Sequence, residues 1–514
     1  MMWRLPFEIM AEIFKYCLSP GGPNYSEPSH HSYQLTASQL CLVCQHWRSI
    51  AIATPALWAN LTIKAQEQHL GHHPRVKSQH VRHILKTMDR VANYPWALVV
   101  KASAKGPRPS RDENAVLLSL LLHRPASLSL KTLTVIADPL AVGMGNLCFP
   151  RVTSAVIHCS SWPENPNAVN PDLPSLPNLT HAVLANITSD KSIPTQIPWS
   201  NLTHLFLDGD TTMDIRQWRA IFKMCTSLQR GAFRSYFDIS NEVAYPEPTE
   251  AVLPDLTDLA FLGASPFEEP VYGLSLPSLS KLQMYTNWNT PAWDFNHAAD
   301  LYANLTHLTL ISQDRVSGET WTQIFDTTPR LTELFFLIKC DIEEVCDYLT
   351  FDAEKPNLPH LKALGMYMET YKYRPPEHVN EYDGDRDDVR PFPYHSFTHL
   401  AQSRTQTIQA GLFDERECES LKHLVLRVDG LSKWAGTIAG GLRDALDREA
   451  FAGFGLKVSV FGEWVGPGGY CFRKERPLGG DPPSVGVRYF KHWSDGFGEC
   501  LDHVEEYSLH PREG

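Results

Sequence analysis

Residues 176–184 read LPNLTHAVL, and residues 199–207 read WSNLTHLFL. The pattern returns as LPDLTDLAF at 253–261, LPSLSKLQM at 276–284, YANLTHLTL at 302–310, TPRLTELFF at 328–336 and LPHLKALGM at 358–366. In every copy the fourth, seventh and ninth places are apolar, so apolar and other residues alternate toward the end. This alternation predicts a short β-strand that follows a Pro or Asn turn.

The copies recur along most of the chain. Degenerate copies lie near residues 130, 152 and 228, and a late one covers residues 421–426. The leading apolar residues lie at 130, 152, 179, 202, 228, 256, 279, 305, 331 and 361, which are 22 to 30 residues apart. This period resembles that of leucine-rich repeats, about 20–29 residues. Because no single copy can bury its apolar side, the copies must stack. We therefore predict an α/β fold: a curved solenoid with parallel strands on the concave side and helices or irregular segments outside.

Two segments between the copies indicate helices on the outer side. Trp218 and Ile221 precede the copy at 228 at the same spacing as Trp321 and Ile324 precede the copy at 331. A helix is also expected over residues 434–451, before a last strand at 456–460. A globular α/β domain would share the alternation of strands and helices, but it would not explain the recurring nine-residue motif.

The repeat region is predicted to span residues 96–460, with an acidic, Pro- and Tyr-rich insertion at about 371–393. Within it, Asp383, Asp385 and Asp387 imitate the start of a calcium loop. The sixth position is Asp388 and the twelfth is Tyr394, however, where that loop needs Gly and Glu, so an exposed insertion is favoured. Residues 461–514, rich in Gly, Pro and aromatic side chains, are expected to cap the open end of the solenoid.

Residues 1–63 follow a different, helical pattern. Pro6 suits the first position of a helix, and one apolar row then follows at Ile9, Ile13 and Cys17. A second row (Met10, Phe14, Leu18) lies beside it, and another helical pattern covers residues 40–51. One row is enough to seat a helix on a core, so two rows exceed what a unit of this size can cover. The sequence predicts a docking module that needs a partner.

The same residues resemble the F-box. The matching positions read LPxEI at 5–9, IF at 13–14, VCxxWRxxA at 43–51 and PxLW at 55–58, and the ending TPALW is similar to a form common in large fungal F-box families. The resemblance covers only residues 1–63 of 514. It implies docking onto the Skp-type adaptor of a cullin–RING ubiquitin ligase. The adaptor-binding residues would be Leu5, Pro6, Ile9, Ile13, Val43, Trp47 and Trp58, with Trp47 as the central aromatic hot spot. The alternative is a helical cap that only seals the solenoid.

The repeats would then bind a target protein. The third and fifth positions of each LxxLxL strand are expected to face the concave side, where they form a mixed surface. The candidate target-binding residues are His181, His204, Phe206, Lys281, His307, Glu333 and Phe335. The alternative is a solvated strand face with incidental histidines. Histidines at equivalent positions also permit a pH-dependent surface.

Motifs for catalysis or for cofactor binding are absent from the sequence: there is no GxSxG, HExxH, phosphate loop or dinucleotide fingerprint. Cys41 and Cys44 are spaced like half a zinc site, but no second pair follows, so we expect them to pack as small apolar groups. His69 and His73 could begin a metal site, but Gly71 and Pro74 interrupt the turn, and residues 64–95 are expected to form a connector. We therefore expect no enzymatic activity, no metal and no cofactor. Transfer of ubiquitin would be catalysed by the conjugating enzyme, through proximity.

Composition restricts the partners and the compartment. A net charge of −12 argues against nucleic-acid and anionic-membrane binding. The sequence contains neither a signal-peptide core nor an apolar run of membrane-spanning length. Eleven scattered cysteines fit a reducing compartment, and the sequons at Asn178, Asn201 and Asn304 are interpreted as repeat positions. We predict a cytoplasmic or nuclear substrate-recognition subunit of an SCF-type ligase, with a non-catalytic scaffold outside any ligase as the alternative.

Overall fold

The computed structural model describes residues 5–18, 37–65, 74–91, 93–102, 128–136, 147–158, 173–185, 193, 195–212, 215–236, 251–261, 274–286, 299–315, 318–339, 342–352, 357–368, 373–374, 390–407, 418–429, 435–448 and 456–463. The chain divides into two compact units, Met1–Leu202 and Thr203–Gly514. Most of the predicted insertion (371–393) and most of the predicted cap (461–514) lie outside the described residues, as do the linker histidines His69 and His73.

The first unit begins with three helices and continues as a parallel sheet. Its elements are α1 (Phe7–Leu18), α2 (Ala37–Val43), α3 (Gln45–Ala53), a 3₁₀ turn (Pro55–Trp58), β1 (Asn60–Ala65), α4 (Pro74–Val91), β2 (Trp96–Ala102), β3 (Leu130–Ile136), β4 (Ser154–His158), β5 (His181–Ala185) and a second 3₁₀ turn (Trp199–Asn201). The strands pair in chain order, each parallel to the next.

The helices α1–α3 have a small core of their own. Its buried members are Met10, Ala11, Phe14, Leu40, Ile50 and Ala51. Burial of the Met10 and Phe14 row of α1 orients that helix, because residues four apart lie on one helical face. The module is continuous with the sheet, since β1 begins two residues after the 3₁₀ turn.

The described residues of the second unit include nine strands of one parallel sheet, several of them joined by helices. Its elements are β6 (His204–Thr212), α5 (Ile215–Met224), β7 (Arg230–Tyr236), β8 (Ala251–Val252), β9 (Asp258–Phe261), β10 (Leu274–Ser275), β11 (Lys281–Thr286), α6 (Ala299–Tyr302), β12 (His307–Arg315), α7 (Gly318–Thr327), β13 (Glu333–Lys339), α8 (Ile342–Leu349), β14 (Ala363–Met368), β15 (Tyr373–Arg374), β16 (Arg390–Pro391), α9 (Tyr394–Gln402), a π-helical turn (Ser403–Thr407), β17 (His423–Asp429), α10 (Ala435–Arg448) and β18 (Lys457–Glu463).

The order within this sheet is β6-β7-β9-β11-β12-β13-β14-β17-β18, whereas β8 pairs with β10 and β15 pairs with β16. The predicted α/β class with parallel strands and helices is confirmed. Each nine-residue copy contributes one strand, and α5 and α7 form at the two segments that were expected to be helical. Leucines of the motif are fully buried, for example Leu279, Leu305 and Leu331.

Polar bonds join successive copies just before each strand. The carbonyl of Ser280 accepts the backbone N–H groups of Thr306 (2.8 Å) and His307 (3.0 Å) from the next copy, and also the Thr306 hydroxyl at 3.1 Å. The side-chain amide of Asn304 donates to the carbonyl of Pro277 at 3.4 Å. Asn178 and Asn201 donate in the same way to the carbonyls of Pro150 (2.6 Å) and Pro177 (3.1 Å). The Asn and Thr of these sequons therefore have a structural use as repeat positions.

One buried cation holds the region around α9 together. Arg404 is fully buried, and it donates from Nε to the carbonyl of Leu349 (2.5 Å), from Nη1 to Leu358 (3.1 Å) and from Nη2 to Asn357 (2.6 Å). Leu349 ends α8, so the guanidinium lies at the negative end of that helix. Burial lowers the pKa of Arg404 to about 10, and the three carbonyls supply the partners that the charged group needs.

Candidate docking surface

Helix α1 has one buried row and one exposed row. Met10 and Phe14 are each 1% exposed, whereas Ile9 is 48% and Ile13 is 36% exposed. Tyr16, three residues after Ile13, and Leu5, which precedes the helix, are also exposed. The two-row pattern of the sequence thus corresponds to two different environments. The inner row seats the helix, and the outer row presents apolar surface that the described residues leave partly uncovered.

Helix α2 adds two exposed apolar side chains at its end. Leu42 is 77% and Val43 is 59% exposed. An apolar side chain of this size is stabilised by about 1.5–3 kcal/mol when it is fully buried, so partly exposed neighbours of this kind favour association. We refer to Leu5, Ile9, Ile13, Tyr16, Leu42 and Val43 as the exposed apolar set.

Some exposed apolar side chains of α1–α3 were not indicated by the motif. Tyr16 and Leu42 belong to the exposed apolar set, and Phe7 and Ile52 are also more than one-third exposed. Pro6 is exposed, as expected for a contact residue. Helical spacing could have found Tyr16, which lies three residues after Ile13 on the same face. Leu42 carries no such signal, because the end of α2 could not be located from the pattern.

Trp47 has a more mixed environment than the sequence suggested. It is half-buried, its ring lies 4.8 Å from that of Phe14, and it packs against the core of α1–α3. The Sγ atom of Cys44 accepts the backbone N–H of Trp47 at 3.4 Å and so caps α3. Truncation of Trp47 would therefore weaken the module as well as any interface.

Trp58 does not lie on this surface, and the expectation that it contacts a partner is corrected. Only 4% of it is exposed. Its Nε1 donates to the carbonyl of Ala51 at 2.7 Å, and the guanidinium of Arg90 lies 4.1 Å from its ring centroid. The physical reason is its position at the exit of α3, where α4 covers the ring. Sequence periodicity could not show this, because α4 packs there only in the folded chain.

The residues at the third position of each copy form a second candidate surface. In the second unit they occupy one register of the sheet, which we call the third-position ladder: His204, Arg230, Asp258, Lys281, His307, Glu333, Ala363, His423 and Lys457. His204, Lys281, His307 and Glu333 are only partly buried, as is His181 at the same position in the first unit. A polar contact surface remains available at these positions.

Charges in this ladder are paired across neighbouring strands. Asp258 lies between Arg230 (Nε to Oδ2, 3.5 Å) and Lys281 (Nζ to Oδ1, 3.8 Å). His307 Nε2 lies 3.2 Å from Glu333 Oε1. Burial acts to raise the pKa of Glu333, but the hydrogen bond from His307 and the charges of neighbouring basic groups outweigh it, so the pKa is lowered. At neutral pH the carboxylate is charged, and the ladder contains two local groups of pairs: Asp258 with Arg230 and Lys281, and Glu333 with His307.

His181 has a different electrostatic environment. Burial lowers the pKa of its imidazole, which therefore favours the neutral form. Its Nδ1 lies 2.9 Å from the hydroxyl of Thr180, and the same pairing occurs between Thr306 and His307 at 2.8 Å. Adjacent Thr hydroxyls thus orient these imidazoles within their copies.

The fifth positions are buried, and two expected contact residues are corrected. Phe206 is 3% and Phe335 is 8% exposed, so neither presents an aromatic contact to a target. The ring of Phe335 lies across Gly365 of the neighbouring strand, where a side chain would otherwise stand. Close packing between adjacent strands removes these rings from solvent, which the motif of a single copy cannot show.

The His, Cys, Asp and Glu side chains of the described part of the chain are not arranged as a metal site. Among those residues no group of three or more His, Cys, Asp or Glu side chains is placed to hold a metal ion. Cys41 and Cys44 are half-buried free thiols, and burial raises the pKa of the Cys225 thiol to about 12. None of the described helices has the length and apolar character needed to cross a bilayer.

Comparison with known proteins supplies no further assignment. No protein-family model matches the chain, and no curated protein matches it significantly.

Proposed function

We propose that this chain is the substrate-recognition subunit of an SCF-type ubiquitin ligase, with helices α1–α3 acting as an F-box that docks onto a Skp-type adaptor. The observation that carries the proposal is the outer row of α1 together with the end of α2. Ile9, Ile13 and Val43 are substantially exposed although they are apolar and belong to a helical module. Their positions are also those at which the sequence resembles the F-box.

The exposed apolar set argues against the alternative that α1–α3 merely seal the repeats. A sealing cap would bury its apolar rows against the strands and leave a polar outer surface. In this chain the buried row of α1 packs on the module's own core, and the apolar outer row faces solvent. A second protein that covers Ile9, Ile13 and Val43 would remove this surface from water.

The repeats would supply target recognition. The partly buried residues Lys281, His307 and Glu333 of the third-position ladder offer polar contacts, whereas the fifth positions are buried. Because acidic and basic side chains of the ladder pair with one another, the ladder would select a partner by the arrangement of the partner's charges rather than by its net charge. The chain would have no chemical step of its own: it would hold the target near the conjugating enzyme.

Co-purification tests the proposal. The full chain, mixed with purified Skp-type adaptor and cullin, is expected to recover cullin only when the adaptor is present, because the adaptor bridges the two. Failure to bind the adaptor would contradict the assignment and leave a repeat scaffold. A variant that carries Ile9→Asp and Val43→Asp on the exposed set is the matched negative control, since both substitutions place charge on surface that a partner must desolvate.

A further inference from the structure

Trp58 contacts two helices at once at the junction between the helical module and the sheet. Its indole N–H donates to the carbonyl of Ala51, near the end of α3, at 2.7 Å. On its face, the guanidinium carbon of Arg90 from α4 lies 4.1 Å from the ring centroid. Thr54 adds a hydroxyl bond to the carbonyl of Ile50 at 2.8 Å. The carbonyls at the end of α3 are thus satisfied by side chains from the segment that leaves the helix.

Three consecutive residues here contact three different parts of the first unit. Leu57 packs on the core of α1–α3, and Trp58 meets Arg90 of α4. The carbonyl of Ala59 accepts the N–H of Ala97 at 2.7 Å, directly before the β1–β2 ladder begins. A segment whose partners change at every residue has no spacer about which the helices could swing.

We propose that Trp58 and Arg90 form a positioning joint that fixes the direction of helices α1–α3 relative to strands β1–β5 of the first unit. Neither residue contacts a partner; both hold the exposed apolar set at a constant angle to the first repeats. A role of this joint in ubiquitin transfer rests on the proposed function. A target is modified efficiently only if it is presented to the conjugating enzyme at high effective concentration. A loose joint would spread a target bound to the strands of the first unit over many orientations.

Two conservative substitutions remove the interactions separately. Trp58→Phe keeps an aromatic ring but loses the N–H donor, and Arg90→Met keeps an aliphatic stem but loses the cation. Each interaction is worth about 1 kcal/mol, so the fold is expected to survive either change. Arg82→Met is the matched control, because Arg82 lies on the same helix and is exposed.

Pulsed dipolar spectroscopy on the full chain reports how narrowly that direction is fixed, as the width of a distance distribution. Spin labels carried by encoded noncanonical amino acids at Tyr16 and Leu128, both exposed, report the distance between α1 and the start of β3. We expect one narrow distribution for the parent and for Arg82→Met, and a distribution broadened roughly twofold or more for Trp58→Phe and Arg90→Met. The affinity of the unlabelled variants for the adaptor is expected to stay within about threefold of the parent, since neither side chain lies on the docking surface.

A distance distribution of unchanged width in both variants would overturn the joint. A loss of adaptor affinity of about tenfold or more at unchanged width would also overturn it, because Trp58 would then act in docking. Arg90→Met alone decides the matter if Trp58→Phe does not fold. If no chain binds the adaptor, the proposed function fails, but the distance distribution still decides whether the joint exists.

Discussion

Replacing Ile9 and Val43 together by Ala should weaken adaptor binding while leaving the fold intact. Ile9 is 48% and Val43 is 59% exposed, so roughly half of each side chain is still available for burial by a partner. Full burial of such a side chain contributes about 1.5–3 kcal/mol. The remaining half is then worth about 1 kcal/mol at each position. The pair should cost about 1.5–2 kcal/mol of binding, which is a 10–30-fold increase in Kd.

Calorimetric titration of the purified adaptor into the full chain gives this Kd, and chemical unfolding of the same samples reports the fold. Leu128→Ala is the matched control, because it also truncates a half-exposed apolar residue (54%) but lies outside the helical module. Its Kd should equal that of the parent.

Met10→Ala provides the opposite control. Met10 is 1% exposed within the module core, so its truncation should cost folding about 2–5 kcal/mol and affect binding only through unfolding. A role of Ile9 and Val43 in adaptor binding is excluded if the Ile9→Ala, Val43→Ala pair binds within about twofold of the parent while its unfolding transition is unchanged.

Four further changes test the repeat region by denaturant unfolding. Gly365→Ala should destabilise by about 1–3 kcal/mol, because the new methyl would collide with the ring of Phe335, and Phe335→Leu in the same chain should restore part of the loss. Thr306→Val should cost about 1 kcal/mol by removing the hydroxyl bond to the preceding copy, and a cost near zero would contradict that bond's role. Arg404→Met should cost about 3 kcal/mol or more, since three buried carbonyls lose their donor; a loss below about 1 kcal/mol would show that water replaces it. The pKa of Glu333 is lowered in the folded chain, so the stabilisation that its carboxylate provides is present above its unfolded pKa of about 4.3 and is lost as the pH falls through the folded value. Glu333→Gln should therefore make the unfolding midpoint less sensitive to acid. An equal response to acid in the variant and the parent would contradict the pairing of Glu333 with His307.

The repeated strands were predictable because each depends on a local sequence motif, and this motif recurs many times along the chain. A motif such as residues 302–310 fixes which side chains point inward, and stacking then dictates parallel pairing. The helices α5 and α7 were predictable for the same reason, since Trp and Ile recur at helical spacing before two copies. The two rows of α1 follow from periodicity alone.

What could not be predicted depends on contacts between distant segments. The sequence predicts Trp58 to be a surface aromatic, but in the folded chain α4 places Arg90 over its ring. The sequence predicts Phe335 to be a contact residue, but in the folded chain its ring packs against Gly365 of the next strand. Arg404 has no periodic signal, and its role depends on carbonyls that are 46 to 55 residues away in sequence. In each case the fold, rather than the local pattern, decides the environment.

Hydrogen–deuterium exchange of the full chain, with and without the Skp-type adaptor, shows whether α1 and α2 form the docking surface. We predict that α1 (Phe7–Leu18) and the end of α2 become protected on binding, whereas the peptides of the second unit keep their exchange rates. Unchanged exchange across α1 and α2 at saturating adaptor, or protection confined to the repeats, would contradict the claim that these helices are the docking surface.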